Sequence, residues 1–403
     1  MKNLPKPFLL LLLAGLLATG GARAWGFLGH KVINQVAVYC LPGAMQPFYY
    51  RHMVDLVRLA TAPDERRAST PGEAPRHFID MDHYSEDDPF NKVPKAYEKA
   101  VEKFSVDTLQ KYGTVPWVVL EMKDSLTSAF QRRDTTAIIR YSAELGHYLG
   151  DAFVPLHTTI NYDGQLTNQN GLHALWESQL VERNLSTYHL DSAPGTYLKD
   201  PQTAIWSAVQ QSYGFLGETL DRALKLEKQF PPSTRYTFSH RYGKTQRRFS
   251  DAYADAYEKE VGGQVAFRLK GAPTLLASFW LTAWQDAGKP DLNALMTPTK
   301  LSTHERDLLK DELAARKNHT LNNDPNLLLA LQKTKKAETA DDIKAADTPA
   351  APTPPTERPA AAAPQPMAAP VLPAPAVTAG ALPTKIKVKT KTDKDSGKQK
   401  VKE

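Results

Sequence analysis

The sequence predicts an all-α fold, a multi-helix bundle. Apolar residues recur at three- and four-residue intervals over most of the stretch from 25 to 318, which is the spacing of a helix face. Proline and glycine separate these stretches. Alternation of apolar and polar residues, the pattern of a half-buried strand, is almost absent.

The predicted helices follow one another through this region. The first begins near His30 and ends at Leu41-Pro42-Gly43, where proline and glycine stop it. Further helices are expected at 46–61, 95–112, 116–131, 134–150, 171–184, 200–228, 248–266, 272–287 and 302–315. The last of these would close a folded domain that we place at 25–318.

The first 24 residues have a different composition. Lys2 and Lys6 precede the apolar run 8–17, and Ala22-Arg23-Ala24 has the small-x-small pattern of a cleavage site. We therefore predict a signal peptide at 1–24, so that Trp25 begins the mature protein. The run is shorter than the roughly 20 residues that span a membrane. We expect export to the periplasm or the extracellular space, with no transmembrane segment left after cleavage.

The other end of the chain, 336–403, is expected to be a disordered tail. Alanine and proline dominate 346–383, and lysine and threonine dominate the last twenty residues. Such a composition buries too little apolar surface to offset the entropy lost on ordering. A solvated tail without a defined partner is the favoured interpretation; the alternative is a spacer whose basic end touches an acidic surface.

Charge and cysteine content limit the function classes. The formal net charge is +6, but the signal segment and the lysine-rich end carry more than this, which leaves −2 for the body of the chain. The body therefore has no general basic field for nucleic acid. Cys40 is the single cysteine, so no intramolecular disulfide can form, and we expect it to be buried. We expect a monomer.

Metal-type ligands are concentrated between 144 and 177. His147 and Asp151 are four residues apart, as are His173 and Glu177, and His157 lies between the pairs. Residues four apart lie on one helix face. Two amphipathic helices with surface histidines would be the alternative. Two pairs and a fifth ligand, in a chain with 11 histidines, favour a metal site.

Four further candidate ligands lie nearer the N-terminus: Trp25, His30, Asp64 and His77. Trp25 is included because cleavage after Ala24 would free its α-amine and carbonyl. Zinc accepts histidine nitrogen and carboxylate oxygen, and a catalytic zinc site keeps positions open for water and substrate. The remaining histidines lack a partner at ligand spacing and are expected at the surface or behind the ligands: His52, His83, His189, His240, His304 and His319.

The motifs W-G-x-x-G-H, D-E-x-R, H-F-I-D, H-Y-L-G-D-x-x-x-P-L-H and H-x-x-x-E occur in this order between Trp25 and Glu177. In them the sequence resembles the bacterial zinc-dependent phospholipases C and the S1/P1 nucleases, which share one fold. The resemblance covers the chain to about Leu292. It implies an all-α bundle with a trinuclear zinc cleft and the hydrolysis of phosphodiester bonds.

The resemblance also implies how the ligands divide among three zinc ions. Asp151 would bridge the first and third ions. The implied sets are Asp64, His77, His147 and Asp151 for the first ion, His157, His173 and Glu177 for the second, and Trp25, His30 and Asp151 for the third. Asp64 could also orient the attacking water, and Arg67 matches a family position near the phosphate.

The substrate is left open between a phospholipid and single-stranded nucleic acid. The N-terminal motifs resemble the nucleases, in which the residues matching Phe78 and Asp80 bind a base. The alternative is core packing for Phe78 and, for Asp80, a carboxylate that caps a helix or lies behind the metal ligands. H-Y-L-G-D and the final ligand Glu177, where the nucleases have aspartate, resemble phospholipase C. The balance narrowly favours a phospholipase C-like enzyme. A zinc-binding protein without catalysis is the alternative of another class, and Arg67 argues against it.

Overall fold

Helices make up nearly all the regular structure in the computed structural model, which describes residues 26–241, 244–324 and 327–331. The α-helices are α1 Gly26–Tyr39, α2 Gln46–Arg51, α3 Met53–Leu59, α4 Ala62–Arg66, α5 Met81–Tyr84, α6 Pro89–Lys92, α7 Tyr97–Phe104, α8 Val106–Tyr112, α9 Val115–Arg132, α10 Thr135–Ala152, α11 Leu172–Ala174, α12 Leu180–Asn184, α13 Pro201–Glu227, α14 Pro232–Arg235, α15 Asp251–Asp286 and α16 Thr303–Lys317. Strands β1 Tyr236–Arg241 and β2 Lys244–Phe249 form an antiparallel hairpin. The all-α prediction is confirmed.

Short segments of other helical type connect these elements. The 3-10 turns are Ala74–His77, Pro155–Thr158, Leu185–Thr187, Asn293–Leu295, Leu321–Asn323 and Leu329–Leu331. Leu175–Gln179 is a π-helical turn that joins α11 to α12 in one continuous helix. In the described part of the chain, no helix combines the length and the apolar character needed to cross a membrane. The predicted signal peptide and tail lie outside the described residues.

Helix α10 is packed on many sides, against α1, α3, α9, α13 and α15. The Asp134 side chain caps its start by accepting a hydrogen bond from the N–H of Ala137 at 3.0 Å. Because only Arg133 and Asp134 separate α9 from α10, the two helices lie side by side. The buried positions of α10 include His147 and Asp151 as well as apolar residues. The helix thus carries polar groups into the core.

Two glycines let α1 approach α10 closely. A Cβ atom at Gly146 would lie 2.5 Å from the Asn34 side-chain oxygen, and one at Gly150 would lie 3.0 Å from Nδ1 of His30. A larger residue at either position would require the facing side chain of α1, Asn34 or His30, to shift. This close packing puts His30 beside the end of α10, where Asp151 lies.

The structure corrects several of the predicted elements. The helices expected at 46–61 and 95–112 are each divided in two, at His52 and at Ser105. The helices expected at 248–266 and 272–287 are one helix, α15, which runs through Pro273. An internal proline costs about 3 kcal/mol, and α15 offsets this by packing against α1, α9, α10 and α13. The hairpin β1–β2 was not predicted, and the following helix begins at Asp251 because the Ser250 side chain caps it. Cys40 is buried, as predicted.

Candidate metal centre

Four predicted ligands meet at the C-terminal half of α10. His77 Nδ1 lies 3.0 Å from Asp151 Oδ2, and His147 Nε2 lies 3.4 Å from the same oxygen. Asp64 Oδ1 is 3.7 Å from His77 Nδ1 and 3.8 Å from His147 Nε2. All four side chains are buried, with at most 2% exposed. The structure therefore brings Asp64, His77, His147 and Asp151 to one point.

The second oxygen of Asp151 faces a different partner. Asp151 Oδ1 lies 3.4 Å from His30 Nε2, on α1. The rings of His30 and His147 stack with centroids 3.9 Å apart. His30, His147 and Asp151 thus form a further group with ligand atoms close enough to hold one ion. One carboxylate joins the two groups.

A separate group comprises the other two histidines and Glu177. Glu177 Oε2 lies 3.0 Å from His173 Nε2 and 3.6 Å from His157 Nε2. Glu177 is in the π-helical turn Leu175–Gln179, and π-helical turns are frequent at functional sites. All three residues are buried. The five ligands predicted between 144 and 177 thus fall into two neighbouring parts of one site.

Backbone carbonyls fix the orientation of three histidine rings. The Nδ1–H of His147 donates to the carbonyl of Ala60 at 2.8 Å, and that of His173 donates to the carbonyl of Tyr162 at 2.9 Å. The Nδ1–H of His157 donates to the carbonyl of His77. In each ring, Nε2 is left to face the other ligands. Hydrogen bonds of this kind set the tautomer and direction of metal-binding histidines.

His77 is oriented the other way round, by Glu73. Its Nδ1 faces Asp151, while its Nε2 lies 3.4 Å from Glu73 Oε1. The hydroxyl of Tyr148 donates to Glu73, and Arg66 forms an ion pair with Glu73 at 3.0 Å. Glu73 is not among the residues predicted from the sequence, although its four-residue spacing from His77 is the signal that identified the other pairs.

Burial and neighbouring charges set the protonation states. Burial tends to raise the pKa of Asp151, but the surrounding histidines, with His30 and His77 at hydrogen-bonding distance, outweigh it and hold this pKa well below its usual range. Burial, reinforced by the charge of His30, holds the pKa of His147 well below its usual value. Burial raises the pKa of Asp64 to about 6. Zinc needs ionised carboxylates and neutral imidazoles as ligands, and Asp151 and His147 are held in those states.

The residues present fit zinc. Among the described residues, both ring nitrogens of His30, both carboxylate oxygens of Asp64 and Oδ1 of Asp151 are buried without a hydrogen-bond partner. Such atoms cost about 1–3 kcal/mol each, which a bound cation would relieve. Ligand atoms on tetrahedral zinc, with bonds of about 2.0–2.1 Å, lie roughly 3.3 Å apart. The observed separations are 3.0–3.8 Å. The site contains several groups able to bind metal.

The remaining predicted site residues are Trp25, Arg67, Phe78 and Asp80. Trp25 lies outside the described residues, but a Cβ atom at the next residue, Gly26, would lie 2.4 Å from Oγ of Ser178, which follows Glu177 in sequence. Arg67 is partly buried at the end of α4, and its charge acts on His77.

Phe78 and Asp80, the predicted base-binding residues, follow His77 directly. Phe78 is half-buried, whereas Asp80 is 1% exposed at the start of α5. The N–H of Asp80 donates to the carbonyl of Tyr112 at 2.7 Å, and the Tyr112 ring stacks on His83 with centroids 3.3 Å apart. Phe78 is thus the more accessible of the two predicted residues, beside a pair of stacked rings.

Comparison with known proteins assigns the family. A model of the S1/P1 nuclease family matches residues 25–282. Comparison with curated proteins gave no match. The matched span contains all nine candidate ligands together with Arg67, Phe78 and Asp80, and this family comprises metal-dependent phosphoric ester hydrolases. The chain therefore belongs to the S1/P1 nuclease family.

Proposed function

We propose that the protein is an exported, zinc-dependent hydrolase that cleaves phosphodiester bonds in single-stranded nucleic acid. The observation that carries the proposal is the set of buried ligand groups joined through His147 and Asp151, inside a span that matches the S1/P1 nuclease family. Residues 25–318 would form the catalytic domain after removal of residues 1–24.

We propose three zinc ions. Asp151 has one oxygen toward His77 and the other toward His30, as a residue bridging two ions would. The proposed ligand sets are Asp64, His77, His147 and Asp151; His157, His173 and Glu177; and His30 and Asp151 with the amine and carbonyl of Trp25. Bound zinc would supply an activated water at neutral pH and stabilise negative charge on phosphate oxygens.

Residues of the chain would position the substrate and the water. The Asp64 carboxylate has two buried oxygens without a hydrogen-bond partner among the described residues, so it can accept a hydrogen bond from the attacking water and direct it at phosphorus. Arg67 lies close enough to act on His77. Its guanidinium would offset the charge that develops on the phosphate.

The surroundings of Asp80 support nucleic acid as the substrate. Phe78 directly follows the ligand His77, and the N–H of Asp80 donates to the carbonyl of Tyr112, whose ring stacks on His83. Base–aromatic stacking contributes about 1–3 kcal/mol per base and tolerates any base sequence. Aromatic rings so close in sequence to a metal ligand would suit a single strand, whose bases are free to stack.

A phospholipase C-like activity is the second candidate. Glu177 favours it, because the sequence resembles phospholipase C at this ligand, where the nucleases have aspartate. Glu177 lies within the second ligand group at normal ligand separations, so the family assignment and this residue point to different substrates for the same metal chemistry.

The two candidates are tested side by side. Processed, zinc-loaded protein is assayed on single-stranded DNA and on phosphatidylcholine vesicles, with a chromogenic phosphodiester as a general substrate. We expect cleavage of DNA and of the chromogenic ester. Cleavage of phosphatidylcholine with none of DNA would overturn the proposal in favour of the lipase. If a fully zinc-loaded sample cleaves neither DNA, phosphatidylcholine nor the chromogenic ester, the protein binds zinc without catalysis.

A further inference from the structure

The hairpin β1–β2 has a charge unlike that of the rest of the domain. Residues 236–249 contain four basic and no acidic residues, in a chain whose body carries a net charge of −2. Arg248 forms an ion pair with Asp251 at 2.8 Å. Within the described residues Arg247 has no carboxylate partner, and it is exposed. A local excess of positive charge with an unpaired guanidinium favours an anionic partner.

One face of the hairpin is a ladder of rings and a guanidinium. The Tyr236 ring packs on the buried Phe249 ring at 4.8 Å, and the Arg247 guanidinium lies 4.3 Å from the centroid of Tyr236. Arg247 pairs across the strands with Phe238, which is 50% exposed. An exposed aromatic ring beside a cation is the combination with which proteins hold single strands, since the ring stacks on a base and the cation binds a phosphate.

The base of the hairpin contacts the segment that carries the candidate ligands His173 and Glu177. The carbonyl of Phe249 accepts a hydrogen bond from the Gln179 side chain at 3.0 Å, and a Cβ atom at Gly171 would lie 3.4 Å from the Phe249 ring. Gly171 and Gln179 flank His173 and Glu177 in sequence. The ladder therefore continues outward from the segment that holds the second ligand group.

We propose that the β1–β2 hairpin is an arm that holds single-stranded nucleic acid next to the metal centre, with Phe238 stacking on a base and Arg247 contacting a phosphate. The inference rests on the proposed function and deepens it, because it assigns a second contact region for a polymeric substrate. The favoured occupant is nucleic acid and not a lipid surface: among the described residues of the hairpin, Phe238 is the one exposed large apolar side chain, and a single ring is too small a patch to insert into a bilayer.

Binding of fluorescein-labelled phosphorothioate (dT)20, which resists hydrolysis, tests the arm. Fluorescence anisotropy is measured with the full, zinc-loaded protein. Phe238→Ala is expected to raise Kd about tenfold, and Arg247→Gln is expected to lower the slope of log K against log salt by about 0.7. Matched controls are Phe267→Ala, another exposed ring, and Arg58→Gln, another exposed arginine; both should bind as the wild type does.

Each outcome of this experiment decides the proposal. Wild-type affinity in both hairpin variants, or no binding of (dT)20 by the wild type, would overturn it. Weakened binding to vesicles of phosphatidylglycerol with unchanged binding to (dT)20 would overturn it in favour of a lipid contact. Thermal melting of each variant separates loss of the contact from loss of the fold. A wild type that binds (dT)20 but cleaves no DNA would contradict the proposed function and leave the arm supported.

Discussion

Asp151 is the residue on which the geometry of the centre depends. Its two carboxylate oxygens lie 3.0 Å from His77 and 3.4 Å from His30, so it joins side chains from two other elements to α10. A fully buried carboxylate is unfavourable unless it is paired or coordinates a metal. The histidines around it hold its pKa well below the usual range. Asp151 is thus kept as an anion at a place where only cations or hydrogen-bond donors would stabilise it.

Glu73 is expected to set the zinc affinity through His77. Replacing Glu73 with glutamine leaves a neutral amide opposite His77 Nε2, 3.4 Å away, so the ring is held and polarised less strongly. Loss of such an outer carboxylate lowers metal affinity by about 10–100-fold. Competition with a chromogenic chelator measures this. Glu121→Gln is the control, because Glu121 pairs with Arg76 at the surface; equal affinities in the two variants would refute the role of Glu73.

The free amine of residue 25 is predicted to complete the third zinc site. A protein that begins at Ala24 instead of Trp25 moves the amine away by one residue. We expect one zinc fewer per chain and the loss of most activity, because the amine and carbonyl would no longer form a chelate. Zinc content and hydrolysis of a chromogenic phosphodiester are measured on both forms. Full activity with the extended N-terminus would show that the amine is not a ligand.

At the scale of elements, the site is built by the contact of α1 with α10. Gly146 and Gly150 are one helical turn apart on α10, and each faces a side chain of α1 that a methyl group would crowd. The Asn34 amide also donates to the carbonyl of His30 at 3.1 Å, within α1. The spacing of these two helices therefore determines whether His30 reaches Asp151.

Gly146→Ala is expected to lower the free energy of unfolding by about 1–3 kcal/mol, the usual cost of overpacking. The added methyl group would overlap the Asn34 side chain, whose nearest atom lies 2.5 Å from the ideal Cβ position. Gly214→Ala is the matched control on α13, where nothing lies within 4 Å. There the exchange should stabilise by up to about 1 kcal/mol. Urea unfolding measures both; stabilisation by Gly146→Ala would contradict the close-packing argument.

Sequence reasoning succeeded where local geometry decides the result. The pairs His147–Asp151 and His173–Glu177 could be predicted because helical spacing alone places residues four apart on one face. Prediction from the sequence failed where packing between distant segments determines the structure. The continuity of α15 through Pro273 depends on four neighbouring helices, and the hairpin depends on Phe249 packing against the segment around Gly171. Neither contact leaves a periodic signal in the sequence.

At the scale of the whole molecule, the described ligands come from a span between His30 and Glu177, and the later helices α13 and α15 support them by packing. The net charge of the body does not reveal this division. The net charge of −2 is a sum over the whole body, which includes a centre rich in buried carboxylates and histidines and a basic hairpin beside it. Because ligands from distant parts of the chain meet only in the folded state, zinc binding is expected to stabilise the fold.

The zinc content of processed, active protein tests the central claim most directly. It is measured by elemental mass spectrometry, with phosphodiester hydrolysis followed before chelation, after chelation and after zinc is returned. We predict about three zinc ions per chain, loss of hydrolysis when they are removed, and recovery when they are restored, because the three ligand groups would each hold one ion. Full hydrolysis by metal-free protein, or an active enzyme that holds one zinc or none, would contradict the account.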